Sequence, residues 1–318
     1  MLFSSFAVST SFVNAETTLS QPLSESRNLW SDLMLLTKSR LTFLVLLTTW
    51  AGFYLGMPSV QLIGPNGILL LHTLFGTALV AASASALNQL LEIDIDRRMN
   101  RTQDRPLPAG RMHPDHVMIF AFLTGSIGLL YLFFVVNPLA SLLSAATLGS
   151  YVWIYTPMKQ TSTLNTLVGA IPGALPPVIG WAAATESISF NAWILFLIMF
   201  FWQMPHFLAI SWFCREDYEK AGLKMLPVVD PSGQSTGRQA VVYAATLLPI
   251  SLMPALNGMA GGTYFAIATV SGLAFLLLAI RFCSRCDTPS AKQLFFASIF
   301  YLPIVLISLC WTKNVILH

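Results

Sequence analysis

The chain has 318 residues, 55% of them hydrophobic and 10% charged, with a mean hydropathy of +0.67. A soluble domain carries about 25% charged residues, so the composition excludes a soluble globular protein and describes one that crosses a membrane many times. The net charge of +3 decides little by its size; where the charges sit decides more.

Residues 1–28 are poor in charge and rich in Ser and Thr. The opening MLFSSFAVSTSFVNA has the look of a weak signal peptide but lacks a basic n-region. We read 1–28 as a disordered cytoplasmic tail ahead of a single membrane domain, 29–318, whose first stretch (29–40) is an interfacial helix. Nine apolar segments then follow, near 41–57, 67–91, 116–136, 139–156, 163–183, 191–213, 238–257, 262–281 and 291–311. Each approaches the roughly 20 residues that a spanning helix needs. With the N-terminus in the cytoplasm, every Lys and Arg except Lys313 falls in a cytoplasmic segment. That asymmetry sets the expected orientation, with the C-terminus on the far side of a bacterial inner membrane. The expected architecture is all-α: nine transmembrane helices.

At the mouth of the first span, Lys38 and Arg40 read as snorkelling anchors, with a contact to a lipid diphosphate as a second role. The second span runs through ALVAASASALN, small residues that let helices approach closely. It leads into NQLLEIDIDRRMNRTQDRPLPAG, residues 88–110. There Asn88, Glu92 and Asp96 stand four apart and form one polar strip about 12 Å long on a continuing helix. Such oxygen ligands suit Mg²⁺, which takes few carboxylates and completes its shell with water and phosphate oxygens. Asp94 falls on the opposite side, solvated or paired with an arginine. Arg101 and Arg105 supply planar forks that match phosphate, before Pro106 and Pro108 end the helix. Charges at a membrane edge commonly only orient and balance one another, which would account for Arg97, Arg98, Asp94 and Asp104. It accounts poorly for Asn88 and Glu92, inside the apolar segment.

The fourth span ends in YVWIYTPMKQ at the same face. Tyr151 and Tyr155 there line a cavity or an interfacial belt, and Lys159 is an anchor or a phosphate contact. The fifth carries Gly169, Pro172, Gly173, Pro176, Pro177 and Gly180, breaks tolerated where a neighbour or a cavity satisfies the backbone, so a bent, cavity-lining helix is expected. The sixth carries Trp202, Gln203, Pro205 and His206, then exits as WFCREDYEKAGLKMLP. Glu216 and Asp217, with Arg215 beside them, face the same compartment as Asp96, and two carboxylate groups there can clasp a diphosphate through metal. His206 is either a satisfied buried histidine or a ligand. Cys214, Cys283, Cys286 and Cys310 read as structural, because Cys283–Cys286 has no second pair to complete a zinc site.

Residues 88–105 match the first motif of one family at every position: Asn, three residues, an acid, two residues, an apolar residue, Asp, two residues, Met, one residue, Arg, Thr, two residues, Arg. On Asn88, Glu92, Ile95, Asp96, Met99, Arg101, Thr102 and Arg105 the chain resembles the UbiA superfamily of intramembrane prenyltransferases. Glu92 stands where that motif often has Asp. Through LTFLVLLTTWAGFYLG, YTPMKQTSTLNTLVGAIPGALPPVIGW and PHFLAISWFCREDYEKAGLKMLP it is most similar to the branch whose acceptor is heme. The second motif is less acidic than usual, with Tyr218 after Glu216 and Asp217, and this leaves the number of metal ions open.

The resemblance implies a helical bundle around a central cavity, in which farnesyl diphosphate and heme B are substrates and Mg²⁺ is the cofactor. It implies Asn88, Glu92, Asp96 and Asp217 as metal-holding catalytic residues with Glu216 behind them. Arg101, Arg105, Lys159 and Arg215 would bind diphosphate, and His206 would bind heme. The bilayer and a downstream heme-modifying enzyme are the expected partners, and no nucleic acid is. A family member acting on an aromatic quinone or chlorophyll precursor would share the first motif. A secondary transporter would share bent helices but place its site near the midplane.

Overall fold

A computed structural model describes residues 28–57 and 64–314. The tail expected over residues 1–27 lies outside the described residues. Asn28, assigned to that tail by sequence, instead caps the first helix, its side chain accepting from the Ser31 backbone N–H at 3.2 Å.

All regular structure among the described residues is helical. Helices α1 (Leu29–Leu36) and α2 (Ser39–Gly56) meet at a 49° bend, where Lys38 takes the left-handed conformation at φ +46°. Helix α3 (Pro65–Leu91) continues into the short α4 (Ile93–Asp96) after a break at Glu92. At about 1.5 Å per residue α3 is about 40 Å long, which exceeds the roughly 30 Å hydrocarbon core. Its last turns therefore deliver Asn88 and Glu92 to the membrane edge. Helix α5 (Pro114–Tyr131) ends in a π-helical turn, Leu132–Val136. Helix α6 (Pro138–Gly149) passes through a second, Ser150–Tyr155, into α7 (Thr156–Thr161). The wider i→i+5 turn counters the rotation that four-residue steps accumulate on an α-helix, so Tyr151, Tyr155 and Lys159 share one side.

The fifth span bends as expected. It divides at Leu175 into α8 (Asn165–Ala174) and α9 (Pro176–Thr185), because Pro176 and Pro177 bring no N–H to the ladder. Gln203 donates Nε2 to the Ala170 carbonyl beside this break, at 2.6 Å. Helix α10 (Phe190–Phe213) precedes two short helices, α11 (Arg215–Lys220) and α12 (Leu226–Val229). Helices α13 (Gln234–Leu256), α14 (Gly262–Arg285) and α15 (Thr288–Trp311) complete the bundle. Eight helical runs are long and apolar enough to cross a membrane, and the bent α1–α2 pair makes nine.

Large side chains such as Phe122, Phe134, Trp153 and Trp311 point outward. On a protein in water such patches would drive association; here they meet lipid. Inside, an apolar core joins α10, α13, α14 and α15 through Leu195, Ile198, Leu247, Tyr264, Phe275 and Tyr301. Lys313 closes the ring by donating Nζ to the carbonyls of Tyr54 and Met57, at the end of α2.

Helices α2 and α9 touch backbone to backbone. A Cβ on Gly52 would lie 1.9 Å from the Pro177 carbonyl oxygen, and one on Gly180 the same distance from that of Thr49. Neither neighbour is a side chain that can swing away. Gly52→Ala and Gly180→Ala are each expected to cost at least about 2 kcal/mol, seen as a lower unfolding midpoint in detergent. Gly110→Ala, whose Cβ meets only open space, should lose about 1 kcal/mol from its positive φ.

Candidate functional site

The polar ends of α3, α4, α7 and α11 surround a cavity of about 220 Å³ lined by Lys38, Asn88, Glu92, Asp96, Arg101, Arg105, Tyr151, Tyr155, Lys159 and Tyr218, among others. That is room for the polar head of a ligand.

Although α3 breaks at Glu92, the strip survives the break. The Asp96 N–H reaches the Glu92 carbonyl at 2.7 Å, and that of Glu92 reaches Asn88 at 3.1 Å, so the four-residue spacing still stacks all three side chains. Each faces a cation. Lys38 Nζ lies 2.7 Å from Asn88 Oδ1, Lys159 Nζ 2.7 Å from Glu92 Oε1, and Arg105 2.6 Å from Asp96 Oδ2. Asp96 has no exposed surface. Burial pushes its carboxyl above the ordinary range, and the Arg105 guanidinium and Thr102 hydroxyl pull it back. Its second oxygen, Oδ1, is buried with no hydrogen-bond partner among the described residues. An orphaned carboxylate oxygen in a nest of oxygen donors fits a hard cation. Asp94 turns outward to Arg97 at 3.1 Å.

The lining has four cations, Lys38, Arg101, Arg105 and Lys159, against the two carboxylates Glu92 and Asp96. The surplus of positive charge suits an anion. Asn88 also donates Nδ2 to Thr156 Oγ1 at 3.2 Å, which fixes its Oδ1 toward Lys38.

The second loop does arrive over the first, but apolar contacts bring it there. Ile95 and Met99 pack on Ala221, Leu223 and Met225, with Tyr218 against them. On α11 this turns Tyr218 to the cavity, and residues one and two positions away cannot share its face. Asp217 is half-exposed and Glu216 exposed; neither lines the cavity. Arg215 turns back on its own helix end, donating to the Trp212 carbonyl at 3.0 Å and stacking over that ring at 4.7 Å. The expected clasp by two carboxylate groups is therefore not what this arrangement holds, and among the described residues no group of three His, Cys, Asp or Glu gathers at one point.

Burial raises the Tyr218 phenol above its ordinary value, with Arg101 acting the other way, so it stands as a neutral donor. Tyr218 is a wall residue that motif reading passed over, its only signal being membership of a charged loop. Lys38, expected as an anchor with a diphosphate contact as a second role, also stands in the wall.

His206 lies outside this cavity, between α10 and α15, while Phe207 and Ile210 of the same helix line it. Its ring stacks on Trp202 and Phe295, with centroids 5.3 and 5.0 Å away. Its Nδ1 is 2.6 Å from Ser298 Oγ. That hydroxyl gives its one proton to the Phe295 carbonyl, so it accepts from His206 Nδ1–H. The tautomer follows: Nε2 carries the lone pair. The four cysteines are free thiols.

Residues 45–302 match the model of the UbiA prenyltransferase family. A protoheme IX farnesyltransferase of Solibacter usitatus is 43% identical over 279 residues, 86% of this chain and 96% of that protein. The mitochondrial protoheme IX farnesyltransferase of Arabidopsis thaliana is 38% identical over 85% of this chain and 62% of its own length. Among solved structures, digeranylgeranylglyceryl phosphate synthase superposes with a TM-score of 0.75 at 16% identity, over 89% of this chain and 98% of that one. A UbiA homologue from Archaeoglobus fulgidus bound to GPP and Mg²⁺ superposes at 0.61 and 17% identity, over 87% and 99%. At such identities the likeness is one of fold.

The Glu92–Lys159 pair, with side chains 6% and 15% exposed, tests the cavity's electrostatics. Glu92→Gln is expected to destabilise the protein by about 3 kcal/mol, because it strands a buried ammonium. Adding Lys159→Met should recover most of that loss in a thermal-unfolding cycle.

Proposed function

The chain belongs to the UbiA prenyltransferase family, and from that premise we propose that it transfers the farnesyl group of farnesyl diphosphate to a vinyl group of heme B. Diphosphate leaves, water adds to the former vinyl carbon with loss of a proton, and heme O results. Relatives named protoheme IX farnesyltransferase, 38–43% identical over most of the chain, support the substrate pair. The observation that carries the reading is the cavity: three oxygen ligands on one strip, with cations opposite each, at the edge of a multi-pass membrane protein.

In this reading Asn88, Glu92 and Asp96 hold Mg²⁺, with the orphaned Asp96 Oδ1 as the first available ligand. When bound, the metal supplies positive charge at the diphosphate oxygens. Arg101, Arg105 and Lys159 bind the same oxygens, and Tyr218 donates a hydrogen bond to them. Together they stabilise the charge that builds as the carbon–oxygen bond of the allylic diphosphate breaks. The Tyr151 and Tyr155 rings, 5.5 Å apart on the wall, present electron-rich faces to the allylic cation. Phe207 and Ile210 shield it from water on the inner side. Asp217 directly precedes the wall residue Tyr218, and we keep it as the acid of the second loop. Glu216 and Arg215 are not carried forward, since one is exposed and the other is engaged by Trp212.

In this reading the cavity holds the head of the diphosphate. His206 stands outside it, its Nε2 lone pair set by Ser298, and it is the ligand or orienting group we assign to heme. We read the cavity as lying on the cytoplasmic side of a bacterial inner membrane, with the N-terminus inside and the C-terminus outside, a reading that the distribution of Lys and Arg supports. A downstream heme-modifying enzyme would receive the product.

Product analysis tests the reading. Purified protein given radiolabelled farnesyl diphosphate and heme B should yield heme O by mass and release diphosphate only with Mg²⁺. Transfer to 4-hydroxybenzoate instead would identify an aromatic-acceptor enzyme. Asp96→Asn is expected to lower turnover by at least about a thousandfold, near 4 kcal/mol of transition-state stabilisation, while remaining folded in the membrane. His206→Ala should weaken heme binding, read as a changed heme absorption spectrum in the binary complex. An unchanged spectrum would reduce His206 to packing.

A further inference from the structure

The turn between α1 and α2 has a conformation that local sequence does not favour. Lys38 is one of only three non-glycine residues at positive φ among those described, and a left-handed lysine persists only where its surroundings over-determine it. Here they do. Gln89 donates Nε2 to the carbonyls of Leu35 and Leu36 at 3.0 and 2.8 Å, capping α1 from outside. Asp32, on the same helix, is clasped by both Nε and Nη2 of Arg111 at 2.9–3.1 Å. The consequence is a redirected side chain. Rather than running out to the interface, the Lys38 amine turns into the cavity, 2.7 Å from Asn88 Oδ1 and 3.5 Å from the Tyr151 hydroxyl.

Strain of this kind at a site wall points to a function for the amine. A single lysine against a neutral amide is no obvious ion pair, yet it completes a pattern. Asn88, Glu92 and Asp96 each have one cation at hydrogen-bond distance, supplied by Lys38, Lys159 and Arg105 in turn. A divalent cation entering alone finds Asp96 Oδ1 open, yet it would add charge beside Lys38, Lys159, Arg105 and Arg101 with no anion to balance them. A diphosphate offers them new oxygen partners at the same moment.

We propose that Lys38 is a further diphosphate-binding cation of this cavity, and that Lys38, Lys159 and Arg105 each hold one oxygen of the metal ligands until metal and diphosphate arrive together. This rests on the metal-site reading above and adds an exchange. The three cations move from carboxamide and carboxylate oxygens to phosphate oxygens, and the vacated oxygens become free for the metal. Metal and diphosphate then bind with positive coupling, each strengthening the other by the same factor.

The test uses full-length protein in lipid nanodiscs, with Mn²⁺ followed by the spin-resonance signal of the free ion. Farnesyl S-thiolodiphosphate serves as a slow-reacting diphosphate, and its affinity is read by calorimetry. Wild-type protein should bind Mn²⁺ at least about tenfold more tightly with the analogue than without it, in the range of ordinary coupling between sites. Lys38→Gly removes the amine and relaxes the backbone, so it should fold. It is expected to bind Mn²⁺ alone more tightly than wild type and the analogue at least about tenfold more weakly. Lys38→Arg should restore most of the analogue affinity. Equal Mn²⁺ affinity with and without the analogue, or unchanged affinities in Lys38→Gly, overturns the exchange while the metal site stands. Asp96→Asn separates the two ideas: if it binds Mn²⁺ as wild type does, or if wild type binds none under either condition, the metal-site reading itself fails.

Discussion

Asp96 lies at the membrane edge with no surface open to water, and Arg105 reaches back to it at 2.6 Å. A carboxylate left alone in such a place costs several kcal/mol, so the chain between the two residues has little freedom. Thr102 ties its hydroxyl to the Asp96 carbonyl at 3.0 Å, and Leu107 packs into the small core that also holds Leu36 and Ala86. Arg111 then binds Asp32 and the Asp104 carbonyl, which carries the constraint to the first helix. From one buried acid, contacts extend in sequence to the turn that follows it, to α1, and to the position of Lys38. The cavity is thus held from several directions by groups that do not line it.

The bundle below supplies a frame with little give. Helices α2 and α9 meet through Gly52 and Gly180 with no room for a methyl group, and packing by small residues is what association in lipid depends on. Close to the break at Leu175, Gln203 of α10 donates to the Ala170 carbonyl and ties the two helices together. The same helix also carries His206 on its α15 side and Phe207 on its cavity side. A single element therefore faces both proposed substrates.

Much of this was legible in the sequence. The nine spans follow from apolar length, and the four-residue spacing of Asn88, Glu92 and Asp96 survives even though the helix breaks at Glu92. The kinked fifth span follows from its prolines. What escaped had tertiary causes. Lys38 reads first as a membrane anchor and only second as a diphosphate contact, because nothing nearby announces that Gln89, some fifty positions on, will cap α1 and turn the lysine inward. Glu216 and Asp217 read as metal ligands because the charged loop lies at the correct face. The rotation of α11 is set by Ala221, Leu223 and Met225 packing on Ile95 and Met99, and no charge pattern reveals that. His206 is visible as an unusual residue in an apolar run, but its tautomer depends on a serine in another span.

The length of α3 has a consequence for traffic through the protein. Because this helix outruns the hydrocarbon, the polar strip stands where water and acyl chains adjoin. A prenyl diphosphate can keep its tail among lipids, where each buried methylene is worth about 0.8 kcal/mol, while its head never leaves an aqueous margin. After bond cleavage the two fragments diverge by solubility alone: inorganic diphosphate drains to the water it already borders, and the alkylated product stays dissolved in the bilayer. Turnover then needs no alternating gate to carry charge across the membrane, and a rigid scaffold is enough.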